Sequence, residues 1–352
     1  MTIQELLTFT VQRKASDLHI ISGYPPTIRV NREMFQMNSY PAITPDESKE
    51  MLLTLLTPLQ KDRLMKTYEL DCSISLGDER FRANFYFQKG NVAASFRHIT
   101  NKIRTIEELM LPNIFHRFID HSFGLILFTG PTGEGKSTSL AALIQEINDK
   151  SSKHIITIED PIEYVFPNKK SVVSQRELNL DTITWSNALR ACLRQDPDVV
   201  LVGEMRDFET ISAALTAAET GHLVFSTLHT SATTEAINRI IDVFPPHQQP
   251  QVRSQLAAML RVVVAQRLVP TITPKNPVIP AVEILQNTPA VAALIREGKS
   301  FMLDSVLETG DEHGMILMEK YLTKLFREGV ISKEVALQNA LRPQLLMKYI
   351  GL

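Results

Sequence analysis

The run Gly130-Pro131-Thr132-Gly133-Glu134-Gly135-Lys136-Ser137 concentrates residue types that bind an anion. Its glycines let the backbone turn successive N–H groups inward. Lys136 adds a compact positive charge, and the Ser137 hydroxyl is a hard oxygen ligand for a small cation. The loop follows the apolar run Leu125–Thr129 and precedes a helical pattern from Ser137 to Glu146. Strand, glycine loop and helix are the setting in which Gly-x4-Gly-Lys-Ser holds a nucleoside triphosphate, helped by the partial positive charge of the helix N-terminus. Gly130 to Thr138 are therefore expected to bind Mg·ATP, with Lys136 on the β- and γ-phosphates and Ser137 on Mg²⁺.

Carboxylates follow at strand ends. Asp198-Val-Val-Leu-Val-Gly-Glu204 is an apolar strand with Glu204 just past its carboxyl end, where open α/β sheets bind ligands. Glu204 is placed to hold the Mg²⁺ shell or to polarise an attacking water. A further strand, His154–Ile158, ends in Glu159-Asp160-Pro161-Ile162-Glu163. Carboxylates this close repel unless a cation or an arginine lies between them, which puts Glu159 and Glu163 near metal and water. His229 follows the strand Leu223–Phe225 on the phosphate side and could donate to the γ-phosphate and sense its loss.

These residues need a scaffold, and the pattern supplies one in two parts. Residues 1–100 read as a small α/β unit, with strands at Leu18–Ile21, Thr27–Val30, Arg80–Phe87 and Ala93–Ile99. The last two are joined across Gly90-Asn91, and a helical stretch from Asp46 to Tyr68 is broken near Pro58. A polar linker covers 101–115. From 116 to 288, short continuous apolar runs alternate with helical patterns, the signature of a mostly parallel sheet buried on both faces. Residues 289–352 read as helices only.

Composition narrows the function further. The 352 residues carry a formal charge of −2 and 44% apolar residues, which places the chain in the globular class with no global attraction to nucleic acid. Two cysteines, Cys72 and Cys192, fit neither a disulfide framework nor a zinc site. The start from Met1 lacks a secretory pattern, and no run reaches the ~20 apolar residues of a membrane span. Contact with a membrane is expected to go through a partner, from the cytoplasmic side.

Gly130–Ser137, Ile158–Tyr164, Asp196–Asp207 and Thr220–Thr230 resemble the Walker A, Asp box, Walker B and His box of secretion-superfamily ATPases. Within these the chain is most similar to the PilT-type retraction motors of type IV pili. That likeness runs from Ala15–Ile20 through Arg80-Phe81-Arg82 and Ser174-Gln175-Arg176 to Asn287–Ala290 and Leu294–Glu297. It implies a PAS-like N-terminal domain, a RecA-like ATPase domain and a homohexameric ring with nucleotide between subunits. The ring would sit in the cytoplasm, peripheral to the inner membrane. It would act there on a pilus platform protein, with related pilus ATPases as possible partners. The His box adds His222 to the nucleotide-binding set, and arginines that complete the site across the boundary are expected at Arg82 and Arg97, with Arg194 as a third.

The chain departs from that pattern twice. Glu134 stands where the family's loop has serine, and a carboxylate beside a triphosphate predicts modestly weaker ATP binding unless it points outward or pairs with a neighbouring arginine. Ala292 and Ala293 replace an Arg-Asn pair, which leaves the helix intact but touches coupling to the pilus machine. The alternatives are an accessory, PilU-like retraction ATPase, an assembly or secretion ATPase, a DNA-uptake translocase, and a nucleotide-binding scaffold without turnover. Assembly and secretion relatives usually carry a four-cysteine zinc site, which two cysteines cannot build.

Overall fold

The computed structural model describes residues 2–30, 33–77, 79–99, 102–273 and 277–351; Met1 and the linker residues Thr100 and Asn101 lie outside the described residues. The chain divides into two compact units, Met1–Lys102 with Asp160–Val165, and Ile103–Glu159 with Phe166–Leu352.

The first unit opens with α1 (Ile3–Gln12), started by a capping box in which Thr2 and Glu5 bond each other's backbone N–H. Strands β1 (Asp17–Ile20), β2 (Thr27–Val30) and β3 (Glu33–Gln36) follow. Next come α2 (Pro45–Leu53) and α3 (Pro58–Thr67), each a threonine-capped helix with proline in its first turn. Proline lacks the N–H that a helix interior needs, so Pro58 starts a second helix where the pattern breaks. With β4 (Glu69–Leu76), β5 (Glu79–Gln88) and β6 (Asn91–Ile99) the strands form an antiparallel sheet ordered β3-β2-β1-β6-β5-β4.

The β5–β6 turn falls one residue earlier than the sequence suggested. Gln88 pairs with Asn91, leaving Lys89 and Gly90 as the two central residues, both at positive φ. That is the turn type whose twist matches a hairpin. One face of the sheet packs Leu18, Phe81, Phe85 and Phe96 against Ile3, Leu6 and Leu7 of α1.

The second unit runs β7 (Gly124–Thr129), α4 (Lys136–Lys150), β8 (His154–Glu159), β9 (Val172–Glu177), α5 (Trp185–Cys192), β10 (Val199–Val202), α6 (Phe208–Glu219), β11 (Leu223–Leu228), α7 (Thr233–Asp242), α8 (Gln249–Met259), β12 (Leu260–Pro270) and β13 (Val278–Gln286). The sheet order is β13-β12-β7-β11-β10-β8-β9, and every neighbouring pair is parallel except β12 with β13. Every residue of β7, β10 and β11 is buried, as strands covered on both faces must be. This is the mostly parallel α/β architecture expected.

Helices α9 (Pro289–Arg296), α10 (Leu303–Thr309), α11 (Met318–Arg327), α12 (Lys333–Asn339) and α13 (Pro343–Ile350) close the chain. Their apolar faces (Met318, Leu322, Leu325, Leu346) pack on Val269, Ile279 and Ala281 of the β12–β13 hairpin. Two fully buried carboxylates lie under them, Glu283 of β13 and Glu319 of α11. The Arg342 guanidinium reaches both, at 3.0 and 3.2 Å, and also the half-exposed Asp304 at 2.6 Å. Glu283 further accepts the Thr233 N–H and hydroxyl at the start of α7, and Glu319 accepts the Arg342 backbone N–H. Cys72 and Cys192 are both buried, and they are not joined in a disulfide. Among the described residues no helix is long and apolar enough to cross a membrane.

Candidate nucleotide-binding site

The parallel register puts the carboxyl ends of the strands on one edge. Thr129 of β7 lies beside Leu228 of β11 and Ala265 of β12, and Val202 of β10 lies beside Ile158 of β8. Along that edge, in sheet order, stand the glycine loop, His229, Glu204 and Glu159. Thr129 Oγ1 bonds Thr230 through both its hydroxyl (2.7 Å) and its carbonyl (2.6 Å), tying the exits of β7 and β11 together.

In the loop Gly130, Gly133 and Gly135 all have positive φ, and a Cβ on Gly130 would lie 2.4 Å from the Gln266 carbonyl oxygen. Gly135 is the N-cap of α4 and gives no side-chain cap, whereas Thr2, Thr44, Thr57, Thr184, Asp207, Thr288 and Ser332 cap other helices. A helix start without a capping side chain is the kind of N-terminus at which anions bind. Lys136 is buried, its Nζ donating to the carbonyls of Gly130 (2.5 Å) and Pro131 (2.8 Å). Pro131, Thr132, Gly133 and Ser137 are exposed, while Thr138 is half-buried.

The Glu134 side chain is turned to β12. Its Oε2 accepts the Leu268 N–H of β12, and its carbonyl accepts the Gln266 side chain. The premise of a carboxylate facing the phosphates therefore gives way to a carboxylate anchored on a neighbouring strand. Gln266, almost fully buried, had no signal in the linear pattern beyond being a polar residue after the apolar run Val262–Ala265.

Glu204 is held from two sides, by Arg206 Nε at 2.7 Å and His229 Nε2 at 3.2 Å, and its side chain is only 20% exposed. Gly203 beneath it fits between Trp185 and the β8 backbone, donates its N–H to Ile158 and accepts the Thr227 hydroxyl. Glu159 accepts the Thr157 hydroxyl at 2.7 Å and the Gln175 amide at 3.2 Å. Glu163 belongs to the Asp160–Val165 segment grouped with the first unit, and it is half-buried.

His222 and Arg194 lie elsewhere. His222 precedes β11, its carbonyl accepting the N–H of Gly124 at the start of β7 and its ring bonding Thr220 and Ala217. The six residues of β11 separate it from the loop's edge by about 20 Å of strand. Arg194, exposed between α5 and β10, is also on that amino-end edge. Neither is brought to its own chain's loop. A residue before a parallel strand lies at the opposite end from one after it.

Arg82 and Arg97 are cross-strand partners on the exposed face of the first unit's sheet. The row continues through Asp17 to Arg29 on one side and to Ser73 on the other. Asp17 accepts Arg97 Nε at 2.9 Å and lies 3.6 Å from Arg29 Nε. On the same sheet His19 bonds the Ser95 hydroxyl, and burial holds its ring below the ordinary histidine value against the opposing pull of Asp17.

The Type II/IV secretion system protein family matches residues 96–322. The chain belongs to this family. Two relatives in Pseudomonas aeruginosa are the type IV pilus retraction ATPase PilT, 44% identical over 98% of this chain and 99% of its own, and the type IV pilus ATPase PilU, 39% identical over 97% and 89%. A crystal structure of the pilus retraction motor PilT with bound ADP superposes with a TM-score of 0.92 at 41% identity, covering 99% of both chains. The secretion-family chain thus has the RecA-like fold with a PAS-like domain before it and helices after it, and its likeness is to the PilT type.

Proposed function

We propose that the chain is a homohexameric motor that hydrolyses Mg·ATP to retract type IV pili, acting from the cytoplasm on an inner-membrane platform protein. It is an ATPase of the PilT type. The observation that carries hydrolysis is the Glu204 carboxylate, fixed between Arg206 and His229 at the sheet edge that also carries the glycine loop.

In this reading Gly130 to Thr138 bind the triphosphate and Lys136 exchanges loop carbonyls for phosphate oxygens. Glu204 orients and deprotonates the attacking water, with Glu159 supporting the polar end of the site and His229 linking Glu204 to the β11 exit. Among the described residues no three His, Cys, Asp or Glu side chains are arranged as a metal cage. Ser137 and Glu204 offer the hydroxyl and carboxylate oxygens that a hard cation takes, and they are the residues that would hold Mg²⁺ beside the phosphates. When bound, the ion offsets charge on the phosphate oxygens. Arg82 and Arg97, with Arg194 as a third, would serve a nucleotide on a neighbouring subunit. The accessory, PilU-like role is the second reading, supported by Ala292 and Ala293 in α9.

Steady-state turnover of the purified chain against Glu204→Ala tests the enzymatic core, with particle mass recorded in parallel. Turnover should fall by about 10²-fold or more while nucleotide still binds, in a particle six times the chain mass. Undiminished turnover in the variant would remove Glu204 from the chemistry, and a monomer at working concentration would remove the ring.

A further inference from the structure

Strand β12 outruns its neighbour. Its last pairing with β7 is Ala265 opposite Thr129, yet it continues to Pro270, paired only with β13 on its other side. Backbone groups that face β7 beyond Ala265 have no strand to meet, and an unmet donor in a covered position is costly. The glycine loop fills that edge. Glu134 Oε2 accepts the Leu268 N–H at 2.5 Å, and Gln266 Nε2 donates to the Glu134 carbonyl at 2.7 Å. On its other side Gln266 Oε1 accepts the Ser139 hydroxyl in the first turn of α4 at 2.8 Å. The Gln266 amide therefore grips the loop both before and after Lys136, and both Gln266 and Ser139 are buried.

We propose that Gln266 and the Glu134 carboxylate are positioning residues for nucleotide binding, a strut from β12 that fixes the curvature of the phosphate loop. The proposal rests on the reading of that loop as the nucleotide site. It reverses the effect expected of Glu134 from charge alone. An anchored carboxylate has its charge partly met by a backbone N–H and directed at the strand, so replacing it removes an anchor and leaves little repulsion to relieve. A serine hydroxyl at position 134 is too short to span to Leu268, whereas glutamine keeps an acceptor at the same reach.

Titration of the full chain with a fluorescent ATP analogue and Mg²⁺, at low and high salt, separates the two accounts. The strut predicts an order of affinity in which the unaltered chain binds tightest, Glu134→Gln is intermediate and Glu134→Ser is weaker by about tenfold or more, the worth of one charge-assisted hydrogen bond. The order should persist at high salt, because the loss is not a screened charge effect. Gln266→Met, similar in volume but unable to bond either side, should raise KM more than it lowers kcat. If that variant does not fold, the Glu134 pair still decides. Equal or tighter binding by Glu134→Ser would overturn the strut while leaving the nucleotide site in place. Failure of the unaltered chain to bind at all would overturn both.

Discussion

Replacing Arg342 with methionine removes the cation that two buried carboxylates share. The side chain is similar in length, so packing changes little and the electrostatic loss dominates. Breaking a buried pair by deleting one partner costs about 3–5 kcal/mol, because the charge left behind stays desolvated. The structure argues for the lower end. Glu283 keeps the Thr233 N–H and hydroxyl, and Glu319 keeps the Arg342 backbone N–H, so each retains a donor. Asp304 is about half exposed and adds less than about 1 kcal/mol. The expected loss is therefore about 3 kcal/mol, a large share of the 5–15 kcal/mol typical of folded domains. Urea unfolding of the ATPase unit, followed by the fluorescence of Trp185, measures it. The triple variant Arg342→Met, Glu283→Gln, Glu319→Gln leaves no orphaned charge and should recover most of the deficit. A loss under about 1 kcal/mol in the single variant, or no recovery in the triple, would refute the argument that these carboxylates depend on the arginine.

Other expectations follow from single contacts. Gly130→Ala places a Cβ 2.4 Å from the Gln266 carbonyl, so nucleotide binding should be lost and melting should fall by the equivalent of about 1–3 kcal/mol. His19, held below its ordinary value by burial, makes the unfolded chain the better proton acceptor as pH falls. Its contribution to stability is complete above about pH 6.5 and is lost below it, so His19→Asn should flatten the decline in urea midpoint between about pH 7.5 and about pH 5.5. Restoring a polar pair with Ala292→Arg and Ala293→Asn should raise twitching in a retraction-deficient strain while ATP turnover is unchanged. If twitching does not move, that pair does not couple the motor to the pilus.

What could be read from the linear chain follows the physics of each element. Strands β7, β10 and β11 stand out because burial on both faces makes them continuous apolar runs, and the candidate site residues follow directly after them. The same rule of strand polarity, applied to His222, would have placed it at the far edge. Strand β4 alternates Leu70, Cys72 and Ile74 as a half-buried strand does, but the helical stretch directly before it masks that alternation. Strand β3 could not be found this way, since all four of its residues are exposed and no face is marked by apolar residues. Gln266 is the deeper case. Its side chain meets residues more than 120 positions earlier, and only the pairing of β12 with β7 brings them together.

Strand β11 has a mechanical consequence. It is laced along its length to β7 on one side and held by β10 on the other, and it has a histidine at each end. A ribbon fastened on both margins neither stretches nor bends locally, so a push on His229 must arrive at His222 as a translation of the whole strand or not arrive at all. The receiving end is braced on Ala217 and Thr220, at the close of α6. The two rims of the domain are therefore coupled only through a shift of β11 together with the strands that hold it.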